Sequence, residues 1–90
     1  MVKFNMSKYK KIISKILSGQ SDSNILFEDL FNLLINLGFE VRVRGCHHLF
    51  HKAGVVEKIN LHKDNKFAKP YQVKQVRKII LKYKLGGLDV

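Results

Sequence analysis

Apolar residues along the chain recur at two spacings, and the spacings mark its elements. Tyr9, Ile12, Ile13, Ile16 and Leu17 follow the i, i+3, i+4, i+7, i+8 rhythm of one helix face. Ser7 is positioned to cap that helix and Gly19 to end it, with residues 1–6 left as a loose arm. The helix is basic and amphipathic, a pattern that also suits a membrane surface. It is short and lacks Trp, which favours packing on the domain. A polar loop over 20–24 leads to a second helix over 27–37. Phe27, Leu30, Phe31, Leu34 and Leu37 share one face, and Leu33 and Ile35 widen the stripe, so this helix should be the most buried. Glu28 and Asp29 fall in its first turn, where carboxylates complement the positive end of the helix dipole. Gly38 is the stop signal.

The spacing then changes to two. Phe39, Val41 and Val43 alternate with Glu40 and Arg42, as in a strand with one wet face. Arg44-Gly45-Cys46 makes a corner. A second strand runs over 47–52, Ala53-Gly54 turns, and a third covers 55–62. Turns this short imply antiparallel hairpins. After a polar loop over 63–69, Pro70 suits the first turn of a last helix. Val73, Val76, Ile80 and Tyr83 form its stripe, and Gly86-Gly87 should end it. The order of helix, helix, three antiparallel strands and helix predicts an α+β fold, read as a single domain over 1–90.

Composition changes the picture through charge. The 90 residues hold 17 Lys+Arg against 7 Asp+Glu, a net +10. Residues 1–20 carry five Lys and no acid, 21–40 four acids and no base, and 41–90 twelve bases and three acids. A field this strong draws a polyanion, with nucleic acid the first candidate. A single Cys forms no internal disulfide, which points to a reducing compartment. No apolar run reaches the length of a membrane span, and lysines interrupt the N-terminal apolar segment that a signal peptide needs. The expected location is the cytoplasm, with no membrane partner.

The candidate chemistry is gathered at 42–52. That stretch holds three of the four histidines, the only cysteine and both arginines outside the last helix. Alternation sends His47, Leu49 and His51 to one face of the strand and His48, Phe50 and Lys52 to the other. One histidine face should meet the last helix or a groove. His51 and His62 read as ordinary polar residues on the open side of a sheet. His47 and His51 on one straight strand would stand roughly 13 Å apart, too far to share a metal. No metal and no small-molecule cofactor is expected. A nucleophilic Cys46–His47 pair is awkward, because strand neighbours point to opposite faces.

RNA hydrolysis asks for less. A base takes the 2′-hydroxyl proton, cations hold the phosphate, and an acid protonates the leaving 5′-oxygen. Histidine titrates near working pH and suits either proton step. His47 is the first candidate for acid/base and His48 the second. Arg42, Arg44, Lys69, Lys74, Arg77 and Lys78 are the candidates for holding phosphate. The rival readings are a basic RNA-binding module without chemistry and an interaction protein that receives an acidic partner on its basic face.

The chain also resembles the HicA family, the toxin half of a bacterial toxin–antitoxin pair. The resemblance covers about 26–85 and rests on Leu37-Gly38-Phe39, on the corner Gly45-Cys46-His47-His48-Leu49-Phe50, on the third strand, and on a closing helix led by Lys69-Pro70-Tyr71. A subgroup with an extra N-terminal helix would account for 7–18. The resemblance implies an α-β-β-β-α core like the double-stranded-RNA-binding domain (dsRBD), with both helices on one face of the sheet. It implies an endoribonuclease that cleaves mRNA with the corner histidine and is covered by a cognate HicB-type antitoxin. One position departs from the pattern. The family's serine is Cys46 here, and a thiol donates a hydrogen bond less well than a hydroxyl.

Overall fold

A computed structural model describes residues 6–87. Helix α1 spans Met6–Ser18, and α2 spans Phe27–Asn36. Strands β1 (Glu40–Arg44), β2 (His47–Lys52) and β3 (Val55–His62) follow, and α3 spans Pro70–Tyr83. One-turn 3₁₀ helices occupy Asp22–Asn24 and Leu85–Gly87. The chain is therefore α+β, with the three helices and the three antiparallel strands that the periodicity predicts. Helix α1 begins before Ser7, so Ser7 lies inside it and is not its N-cap. The expected loose arm lies outside the described residues except for Met6, which is helical.

The strands pair in the order β1-β2-β3. Register sets the two faces. Val41 lies opposite Phe50 and Phe50 opposite Ile59, while Val43 lies opposite His48 and His48 opposite Leu61. Phe50, Ile59 and Leu61 are fully buried beneath the helices. The other face, carrying Arg42, Arg44, His47, Leu49 and Asn60, is exposed. All three helices contribute to one core: Ile13 and Ile16 from α1, Phe27, Leu30, Leu33 and Leu34 from α2, and Val73, Val76, Ile79 and Ile80 from α3. Burial on this scale drives the fold, because each such side chain contributes roughly 1.5–3 kcal/mol on leaving water. Helix α1 packs against α2 and α3, in line with the packing role expected for it. Ile35, expected to widen the buried stripe of α2, is 40% exposed on the rim.

Gly19 closes α1 with a φ of +71°, and the guanidinium of Arg77 docks beside it. Nη1 donates to the Ile16 carbonyl at 3.0 Å and to Asp22 at 2.9 Å, and Nη2 donates to the second Asp22 oxygen at 3.2 Å. The two-pronged pair ties α3 to the end of α1, and Nη1 is a second donor to an Ile16 carbonyl that also accepts from the Gly19 N–H at 3.3 Å. Helix α3 ends at Tyr83, earlier than Gly86-Gly87 suggested, and the left-handed residue after it is Lys84, with φ +53°.

The loop over 63–69 is polar, as its composition indicates, yet it is pinned. The Phe27 N–H donates to the Lys66 carbonyl and the Ala68 N–H to the Ile25 carbonyl, both at 2.8 Å. This short bridge fixes the chain leaving β3 against the start of α2. No helix among the described residues is long and apolar enough to cross a membrane.

Candidate active site

The β1–β2 corner is a two-residue turn, Gly45-Cys46. Gly45 has φ +59° and Cys46 does not share that sign. Glycine at the first turn position is what a type II′ hairpin requires, because a side chain there is strained. The turn brings Arg44 opposite His47, and pairing of β2 with β3 brings His47 opposite His62. A row of Arg44, His47 and His62 thus crosses the open face at one end of the sheet. Arg42, Leu49 and Asn60 form the next row.

Within the first row the side chains touch. The imidazoles of His47 and His62 stack, with centroids 4.6 Å apart and planes 6° from parallel. The Cys46 Sγ lies 2.7 Å from His62 Nε2, where the thiol donates to the ring or a ring N–H donates to the thiolate, according to the tautomer. Cys46 sits in the turn, so the alternation of strand neighbours does not govern it. Its side chain folds onto the open face and meets His62, not His47. His62, read from the sequence as an ordinary open-face residue, is on that face but belongs to the cluster. His51 keeps the ordinary role expected of it, exposed and 3.5 Å from Glu40.

His48 is in different surroundings. It faces the helices, wedged edge-on between Phe27 (5.1 Å) and Phe31 (5.8 Å). Its Nδ1 lies 3.3 Å from the Cys46 carbonyl. A carbonyl only accepts, so Nδ1 carries the proton in that bond. His48 thereby braces the corner from beneath while lining a shallow cleft with Phe27, Glu28, Phe31, Asn32 and Lys63. Of the two surroundings expected for one histidine face, the last helix or a groove, His48 has the groove, and the helix that walls it is α2.

The cations expected to hold phosphate divide by location. Arg42 and Arg44 are exposed on the open face beside His47. Lys74 and Lys78 are exposed on α3, a helix packed against the opposite face, so they and His47 cannot grip one phosphate. Arg77 is engaged by Asp22 and the end of α1, which gives its guanidinium a structural task. Lys69 pairs with Asp64 at 2.7 Å. That hydrogen bond holds the Asp64 carboxyl below its ordinary range and the Lys69 ammonium above its own. Sequence reasoning passed over Lys63, which directly follows β3, and Lys66 in the same loop. The Lys63 N–H donates to the Cys46 carbonyl at 2.9 Å, which places this loop beside the corner.

Cys46, His47 and His62 also form a group of metal-ligand types, their donor atoms all within 4.8 Å of one another. His51, expected too far along the strand to share a metal with His47, is not in this group. The group that assembles uses His62 instead, brought in by the β2–β3 register.

No family model matches the chain, and neither does any curated protein or solved structure. The HicA resemblance therefore rests on the motif residues alone.

Proposed function

We propose that this chain is a metal-independent endoribonuclease that cleaves mRNA, acting as the toxin of a type II toxin–antitoxin pair of the HicA kind. The single observation that carries the reading is His47: an imidazole exposed on the open sheet face, stacked on a second imidazole and set in a row with Arg44. His47 accepts the 2′-hydroxyl proton as that oxygen attacks phosphorus. The bond from phosphorus to the 5′-oxygen breaks, leaving a cyclic phosphate on one fragment. His62, alongside it, is the imidazole that protonates the departing 5′-oxygen. Arg44 and Arg42 offset the charge on the phosphate oxygens.

The α2-β1-β2-β3-α3 order, with the helices on one face, supports likening the core to a dsRBD. Here the RNA lies across the open face, where the imidazoles are. A cognate HicB-type antitoxin covers that same face, and its acidic groups meet Arg42 and Arg44.

The test is incubation of the protein with mRNA in excess EDTA. Cleavage to fragments with 5′-hydroxyl and cyclic-phosphate ends is expected. Salt-sensitive binding without any cleavage would leave a non-catalytic RNA-binding module as the better reading.

A further inference from the structure

We propose that Cys46, His47 and His62 form a binding site for a zinc-class divalent ion, and that filling the site switches off the cleavage proposed above. The regulatory half rests on the nuclease reading; the site itself does not. The donors come from two segments of the chain: the consecutive Cys46 and His47, where the turn enters β2, and His62 at the end of β3. Their donor atoms lie within 4.8 Å of one another. One thiolate with two imidazoles is a soft, nitrogen-rich set. It suits Zn²⁺ and its neighbours and does not suit Mg²⁺ or Ca²⁺, which take oxygen ligands.

The geometry needs a small adjustment. A tetrahedral ion with bonds of about 2.0–2.3 Å holds sulfur and nitrogen about 3.5 Å apart. Cys46 Sγ and His62 Nε2 start at 2.7 Å, so the pair opens by under about 1 Å as the stacked rings turn toward the ion. Cys46 and His47 are exposed, and the open space around Gly45 leaves the turn unconfined. Arg44 in the same row disfavours a cation, and the thiolate formed when Cys46 gives up its proton offsets it. Three protein ligands leave a fourth position to water.

Occupancy removes the base. A His47 nitrogen bonded to the ion has no lone pair for the 2′-hydroxyl proton, and His62 is tied to the same ion. The site is therefore an inhibitory one for the activity proposed above, and chelation restores that activity.

The experiment uses the full chain, stripped with EDTA, desalted and kept reduced with a non-thiol reductant, with Co²⁺ as the spectroscopic stand-in for Zn²⁺. One equivalent of Co²⁺ is expected to give a thiolate-to-cobalt charge-transfer absorption that Zn²⁺ displaces. Cys46→Ser abolishes that absorption, His62→Ala weakens binding more than about tenfold, and His51→Ala titrates like the wild type. Circular dichroism of each variant confirms folding. No charge-transfer absorption in the wild type, or an unchanged titration in His62→Ala, overturns the site. In the cleavage assay, one equivalent of Zn²⁺ is expected to slow the wild type at least about tenfold, with EDTA restoring the rate. Undiminished cutting by Zn²⁺-saturated protein overturns the inhibitory role. Cobalt binding as described, in a protein that never cuts RNA even in EDTA, upholds the site and overturns both the nuclease reading and the inhibition built on it.

Discussion

The two faces of the sheet share one backbone and perform different work. His47 and His48 are consecutive, yet His47 stacks on His62 in the open while His48 is held between two phenylalanines beneath the sheet. One residue of strand is enough to move an imidazole from solvent to the edge of the core. The covered face is organised for burial, with Phe50, Ile59 and Leu61 at 0% exposure. The open face is organised for contact, with cations and imidazoles in rows. The consequence is that stability and the chemistry proposed for the open face are separable, strand position by strand position.

The sharpest way to break that separation is at Phe50 and Leu49. Phe50→Ala is expected to cost about 3–5 kcal/mol, the range for removing a fully buried aromatic ring. Leu49→Ala, on the open face, is expected to cost under about 1 kcal/mol. Urea denaturation of both variants measures the difference. Equal losses would mean that the open face is part of the core.

A smaller effect is expected at Asp22, whose carboxylate pairs with Arg77 of α3. Asp22→Ala leaves the Arg77 guanidinium half-buried without its carboxylate and should destabilise by about 2 kcal/mol. RNA affinity should stay within about twofold, because phosphate binding is assigned to the open-face cations. A marked loss of affinity in a folded Asp22→Ala protein would return Arg77, through its positioning, to the RNA-binding set.

Gly45→Ala tests the corner. Nothing lies within 4 Å of the added Cβ, so the cost is backbone strain at φ +59°, about 1 kcal/mol. Cleavage should fall more than stability does, because the turn aims Cys46 and His47. A variant with wild-type cleavage would show that the turn merely connects the strands.

The smallest effect belongs to Glu57, on the covered face of β3. The Lys82 ammonium, at 2.7 Å, and the Tyr83 hydroxyl, also at 2.7 Å, both donate to its carboxylate. They hold its pKa down to about 2 from an ordinary 4.5. A carboxyl depressed in the folded chain stabilises it at and above its unfolded value, and that contribution fades as pH falls toward the folded one. The tie between β3 and α3 should therefore weaken between about pH 4.5 and 2. An NMR titration of the Glu57 carboxyl with a midpoint near 4.5 would contradict the contact.

Much of this comparison was legible in the sequence. Alternation alone assigned His47 and His48 to opposite faces, and the helix stripes anticipated Ile16, Leu30, Leu34, Val73, Val76 and Ile80 in the core. What escaped depended on pairing between distant segments. The Cys46–His62 contact needs the β2–β3 register, which spacing within one strand does not supply. The task of Arg77 needs the packing of α3 on α1, because a guanidinium on a helix reads as solvated until its partner is known. The pinned loop over 63–69 owes its order to backbone bonds with 25–27, which no composition signals. The division of cations between two sides of the molecule likewise follows only from where α3 lands.

The most direct measurement is RNA cleavage in EDTA by folded His47→Ala and His48→Ala proteins, each compared with wild type. His47→Ala should lose at least about 100-fold of the rate, the scale of a missing acid/base group, with little change in stability. His48→Ala should give up about 1 kcal/mol of stability, in line with its two aromatic contacts, and still cut RNA within about tenfold of the wild-type rate. The reverse pattern, with His47→Ala cutting at the wild-type rate and a folded His48→Ala inert, would contradict the assignment of chemistry to the open face.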